Sequence, residues 1–160
     1  LINQLKFISN EEEVSYKDNS FEIINNIAKG DLRKAINLLQ SACSIGKNGK
    51  KKINHNLCYS VVGFPKPEEV NLVVNLLIDK SKSLEYCSKE INKIILNNGY
   101  SVSIILKEII EILVRKIHNS EVNASDYAFI FSNLANLENK VSKSTFGDIY
   151  LTMLIAIFKQ

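Results

Sequence analysis

Apolar residues recur three and four positions apart along almost the whole chain, and nowhere do they alternate with polar ones over the length of a strand. That pattern points to an all-α fold. Ile2, Leu5 and Ile8 share a face of a first helix, Leu1 to about Glu13, which ends in the carboxylates of Glu11, Glu12 and Glu13. Ser15 and Tyr16 read as a short extended link. Asp18, Asn19 and Ser20 then offer N-caps to a second helix, on which Phe21, Ile24, Ile27 and Ala28 line up. Gly30 is placed to take the left-handed position past its end. Asp31 is placed to cap a third helix reaching about Ser44, with Leu32, Ala35, Ile36, Leu39 and Cys43 at helical spacing. A cationic break, Gly46 to Lys52, precedes a short helix of about Asn54 to Val62.

The sharpest interruption is Gly63-Phe64-Pro65-Lys66-Pro67, since two prolines and a glycine within five residues stop any helix. It divides the chain into 1–63 and 64–160. Beyond it lie five amphipathic segments. Pro67-Glu68-Glu69 is a strong helix start, with Val70, Val73, Val74 and Leu77 as the buried face and Lys80 and Lys82 closing the helix. The second runs from about Leu84 to Asn97 and stops at Gly99. The third, Val102 to Ile117, is capped by Ser101, and the fourth by Ser125, with Tyr127, Ile130, Phe131, Leu134, Leu137 and Val141. The last starts near Thr145. The third and fifth are apolar nearly all round, as Ile104 to Val114 and Ile149 to Phe158 show. Such a helix must be central or must bury its second face against another chain, and five helices over about 95 residues favour a subunit interface.

Other readings are excluded by what the chain lacks. No apolar run approaches the roughly 18–20 residues of a membrane span, the longest being Leu151 to Phe158. Cys43, Cys58 and Cys87 show no disulfide spacing, and Cys43 and Cys87 fall on apolar faces as small core residues. His55 and His118 have no Cys or carboxylate at metal-ligand spacing. The Gly46–Lys52 stretch is no P-loop: its glycines are three apart rather than five, no Ser or Thr follows Lys50, and a helix leads in. It reads as a connecting loop, or as a weak contact to nucleic-acid phosphates. A net charge of +3 is too mild to decide between them. The chain opens at Leu1 in mid-pattern, with its single Met at position 153, and is expected to be a piece of a longer protein.

Composition matters at one point. Of 160 residues, 22 are Ile, 19 Asn and 18 Lys, the signature of A/T-rich codons, while Arg occurs twice. An Arg that persists against such drift is a candidate for a place where its planar fork is needed, which singles out Arg33 and Arg115. Arg33 and Lys34 occupy the first turn of the third helix, where the dipole disfavours cations by roughly 0.3–1 kcal/mol. An anion visiting that end would explain the placement, because free N–H groups and a guanidinium in one turn make a phosphate clamp. An ordinary solvent-facing Arg would not require it.

The segment Gly30-Asp31-Leu32-Arg33-Lys34-Ala35-Ile36-Asn37-Leu38-Leu39-Gln40 resembles the lid motif of AAA+ clamp loaders, in particular the small subunits of replication factor C. Gly-Asp-x-Arg, a second basic residue, Ala, an apolar residue and Asn, leading into Leu-Gln, all match. Tyr16, the helix from Ser20, Tyr59-Ser60-Val61-Val62-Gly63 ahead of a proline, and Asn98-Gly99-Tyr100 agree with it. The resemblance is strong over 1–63 and one of pattern over 64–160. It implies an AAA+ lid of three or more helices over 1–63 and a five-helix collar over 64–160.

It also implies that Arg33 is the sensor 2 residue. Such an arginine reaches the γ-phosphate of ATP and reports nucleotide occupancy by fixing the lid angle; Lys34 has no assigned role. ATP and Mg²⁺ would be held by a preceding RecA-like domain in a DNA-dependent ATPase subunit, whereas this chain alone is expected neither to bind a cofactor nor to hydrolyse ATP. Its implied partners are other loader subunits through the collar, a sliding clamp and primer–template DNA, with a nuclear location and no membrane. Two alternatives stay open: a subunit that only scaffolds the ring, and a helical DNA-binding module using Lys50, Lys51 and Lys52.

Overall fold

The computed structural model describes residues 1–17, 19–45, 52–119, 123–143 and 147–159. They form two compact units, Leu1–Phe64 and Pro65–Gln160, each with its own buried apolar cluster.

In the first unit, α1 (Ile2–Glu11), α2 (Ser20–Ala28), α3 (Leu32–Ile45) and α4 (His55–Val62) enclose Leu5, Phe21, Ile24, Ala35, Leu39 and Cys58. The expected face of α2 is buried, with Ser20 and Ile23 added to it, whereas on α3 Ala35 and Leu39 are buried, Leu32, Ile36 and Cys43 are only half-buried, and Ala42 joins the core. α1 stops two residues short of the expected end. Glu13 turns left-handed at φ 54, and the Val14 N–H closes back on the Ser9 carbonyl at 2.8 Å. The extended link is more than a link. Ser15–Tyr16 (β1) pairs in parallel with Lys52–Ile53 (β2), Ser15 opposite Lys52 and Tyr16 opposite Ile53. The buried Ser20 hydroxyl donates to the Ile53 carbonyl at 3.4 Å, and the rings of Tyr16 and Phe21 stack tilted at 4.4 Å. The fold remains helical, and this two-residue ladder closes the unit across the 35 residues between Tyr16 and Lys52. Its partner segments are too short to show a period of two.

The second unit is built from α5 (Pro67–Ile78), α6 (Leu84–Asn98), α7 (Val102–His118), α8 (Ala124–Val141) and α9 (Gly147–Phe158). Val70, Val73, Val74 and Leu77 are the buried face of α5, as their spacing requires. Three details differ from expectation. Asn123, not Ser125, caps α8, its side chain accepting the Ser125 N–H at 3.3 Å. Ser101 precedes α7 without making a side-chain cap bond. Lys80 and Lys82 lie beyond the last turn of α5, which is closed by the far end of the chain. The Lys159 ammonium donates to the carbonyls of Leu76 at 2.9 Å and Asp79 at 2.6 Å, a cation placed where the dipole favours it. The proposed cap Asp18 and the expected helix start near Thr145, like most of the Gly46–Lys52 loop, lie outside the described residues.

α7 and α9 turn out to be the central helices, but α7 is not apolar all round as expected: Lys107, Glu111, Arg115 and His118 form an exposed polar face. α7 packs against α5, α8 and α9, and α9 against α5, α6, α7 and α8. Ile105, Leu106, Ile109, Leu113, Leu151, Leu154 and Ile155 are buried within the unit itself. Of the two alternatives left open, central burial accounts for most of their apolar surface, and Val114, Ile149 and Met153 are the large apolar residues of these two helices that remain exposed. At the start of α5, the Glu69 carboxylate accepts the Lys66 N–H at 3.3 Å and the Tyr100 hydroxyl at 2.5 Å, tying the helix start to the turn between α6 and α7.

Two consequences can be measured on this chain. Leu113→Ala, at a fully buried position, should destabilise the second unit by about 2–5 kcal/mol in urea unfolding, whereas Val114→Ala next to it should change stability by less than about 0.5 kcal/mol. The Tyr100 hydroxyl is pushed up to about 12, first by burial and then by the Glu69 carboxylate it donates to. The folded chain thus holds this proton more tightly than the unfolded one. Its contribution is complete below the ordinary value of 10.0 and is lost as pH rises toward about 12. The stability difference between the native chain and Tyr100→Phe should accordingly shrink over that interval in urea titrations.

Candidate functional site

The first turn of α3 is the place where sequence and geometry converge. α2 ends with buried Ile27 and Ala28, and the chain then reverses through two left-handed residues, Lys29 at φ 51 and Gly30 at φ 87. Gly30 occupies the expected position, while a left-handed Lys29 is a strained choice that sequence did not reveal. A Cβ on Gly30 would meet nothing within 4 Å, so glycine is required there by backbone conformation and not by space. The Asp31 N–H returns to the Ala28 carbonyl at 3.1 Å, and α3 begins.

Asp31 caps the new helix as expected. Its Oδ1 accepts the Lys34 N–H at 3.0 Å, and its carbonyl accepts the Ala35 N–H at 2.9 Å. Ala35, Leu39 and Ala42 anchor the helix in the core, while Arg33 and Lys34 project from its first turn into solvent. Arg33 makes no ion pair with any described residue. The turn therefore presents a guanidinium, an ammonium and unpaired first-turn N–H groups at the positive end of the helix dipole. Chemically, it can receive a multiply charged oxyanion by charge-assisted, bidentate hydrogen bonds. It contains no nucleophile and no general base.

Arg115 is a different case. It lies in the last turn of α7 with Lys116 and His118, where cations suit the dipole, and its Nε donates to the Glu111 carbonyl at 3.4 Å. Its persistence against lysine needs no ligand. Cys58, which sequence left unplaced, is buried, and burial pushes its thiol up to about 11. Cys87 is also buried and donates to the Leu76 carbonyl at 3.2 Å, while Cys43 is half-buried against the first core. Among the described residues no helix is long and apolar enough to cross a membrane.

Residues 3–44 match the family model of the RCF1/5-like AAA+ ATPase lid domain, and residues 65–156 that of the replication factor C C-terminal domain. The chain is similar to a replication factor C small subunit of Methanothermobacter thermautotrophicus, 30% identical over 158 residues, which takes in 99% of this chain and 47% of the relative. One from Staphylothermus marinus is 25% identical over 98% of this chain and 45% of its own length. One from Aeropyrum pernix is 40% identical over 70 residues, 44% of this chain and 20% of the relative. The first two matches run across both units, and the chain spans about half the length of the relatives it matches in full.

Replacing Gly30 tests the turn directly. Gly30→Ala should lower the stability of the first unit by about 1–2 kcal/mol in chemical denaturation, the strain of a left-handed non-glycine residue. Gly30→Asn should lower it less, because asparagine tolerates that conformation.

Proposed function

The chain belongs to the replication factor C family, and from that membership we propose that it is the lid and collar portion of an AAA+ subunit that loads a sliding clamp onto DNA. Residues 1–63 act as the lid and 64–160 as the collar through which neighbouring loader subunits are joined. Arg33 is the sensor 2 residue. It contacts the γ-phosphate of ATP bound with Mg²⁺ in a preceding ATPase domain, where its charge offsets the negative charge of the transferring phosphoryl group.

The observation that carries the reading is the state of Arg33. It stands exposed at the capped, electropositive start of α3 and makes no ion pair with a carboxylate among the described residues. A guanidinium in that position is available to a phosphate and is geometrically suited to one. The chemistry of cleavage belongs to the ATPase domain, since this turn supplies only charge and orientation. The sliding clamp and primer–template DNA are the complex's substrates, and DNA contact falls mainly to the ATPase domains. The workplace is the replicating DNA, which means the nucleus in a host that has one; the relatives named above are archaeal.

In the full-length subunit, assembled with its partners, Arg33→Ala should lower clamp- and DNA-stimulated ATPase by about tenfold or more. Arg33→Lys should recover only part of it, because an ammonium lacks the bidentate fork. ATPase unchanged by Arg33→Ala, with loading intact, would assign this subunit to a scaffolding role in the same complex.

A further inference from the structure

We propose that Asp31 is a positioning residue for Arg33, an inference that rests on Arg33 meeting the nucleotide. Three observations converge on it. Arg33 lies at the second residue of α3 with its side chain exposed, so its starting direction is set by the backbone of that turn. That backbone follows two consecutive left-handed residues, Lys29 and Gly30, a junction that is costly for an L-residue and needs local bonds to hold it. What closes the first turn is the Asp31 carboxylate on the Lys34 N–H, with the Asp31 carbonyl on the Ala35 N–H.

The same bond settles where the nearest carboxylate goes. Asp31 is two residues from Arg33 and could quench its charge, but its carboxylate is directed onto the helix backbone, and Arg33 is left without an ion pair among the described residues. One side chain thus caps the helix, fixes the turn that carries the guanidinium, and leaves that guanidinium open to an incoming phosphate. Asparagine would keep the cap, because its side-chain oxygen accepts the same N–H, whereas alanine would lose it.

The test is a double-mutant cycle on ATP affinity in the full-length subunit with its partners, read by equilibrium titration with a fluorescent ATP analogue. Asp31→Ala should weaken binding about three- to tenfold, in line with loss of a cap, and Asp31→Asn should stay within about twofold of the native protein. In an Arg33→Ala background, Asp31→Ala should have no further effect on binding, although it still lowers thermal stability. An equal loss of affinity with and without Arg33 would overturn the proposal and make Asp31 a purely structural cap. So would unchanged binding by Asp31→Ala where Arg33→Ala weakens it. If Arg33→Ala itself leaves binding untouched, the sensor reading fails first and this inference falls with it.

Discussion

A broad apolar helix face can exist in water only if other helices cover it, and the second unit is organised around two such helices. α7 and α9 lie at its centre, and α5, α6 and α8 are arranged by the need to cover them. Two polar contacts secure the ends of α5. Lys159 closes α5 from the far end of the chain, and Tyr100 holds Glu69 at its start. Each acts where a helix terminus leaves backbone groups without partners, so polar chemistry locks an arrangement that apolar burial has already selected.

The first unit follows the same division on a smaller scale. Its helices bury Leu5, Phe21, Ile24 and Leu39, and a two-residue parallel ladder joins its two halves. The turn that carries Arg33 opens a helix whose first residues work against its own dipole. Cations at a helix start are a small electrostatic penalty in the isolated chain. An anion there would offset it, and Asp31 makes the arrangement tolerable without pairing with Arg33. The family matches, a lid over 3–44 and a replication factor C C-terminal domain over 65–156, fall on the two units separately.

Much of this was legible from residue order. The buried face of α5 was read residue for residue and that of α2 apart from Ser20 and Ile23, because one-sided burial writes itself into spacings of three and four. Asp31 as a cap and Gly30 as a left-handed residue follow from local chemistry within a few residues. The misreadings have a common origin. Pairing of Tyr16 with Ile53, closure of α5 by Lys159, and the internal covering of α7 and α9 are contacts between residues far apart in sequence. α9, apolar nearly all round, has no orientation to read, so its spacing cannot say whether its second face meets a neighbouring helix or another chain, whereas the charged face of α7 was there to be read.

By itself, then, the amino-acid sequence determined the helical fold, the break around Phe64 and the turn that carries Arg33, since each depends on periodicity, proline and glycine chemistry or capping over a short span. The tertiary structure alone decided which helices are central and which lysine closes α5. It also decided that Arg33 is without an ion pair among the described residues while the carboxylate of Asp31, two residues away, is bound to the backbone. These depend on which surfaces meet once the chain has folded, and distance along the chain carries no record of that.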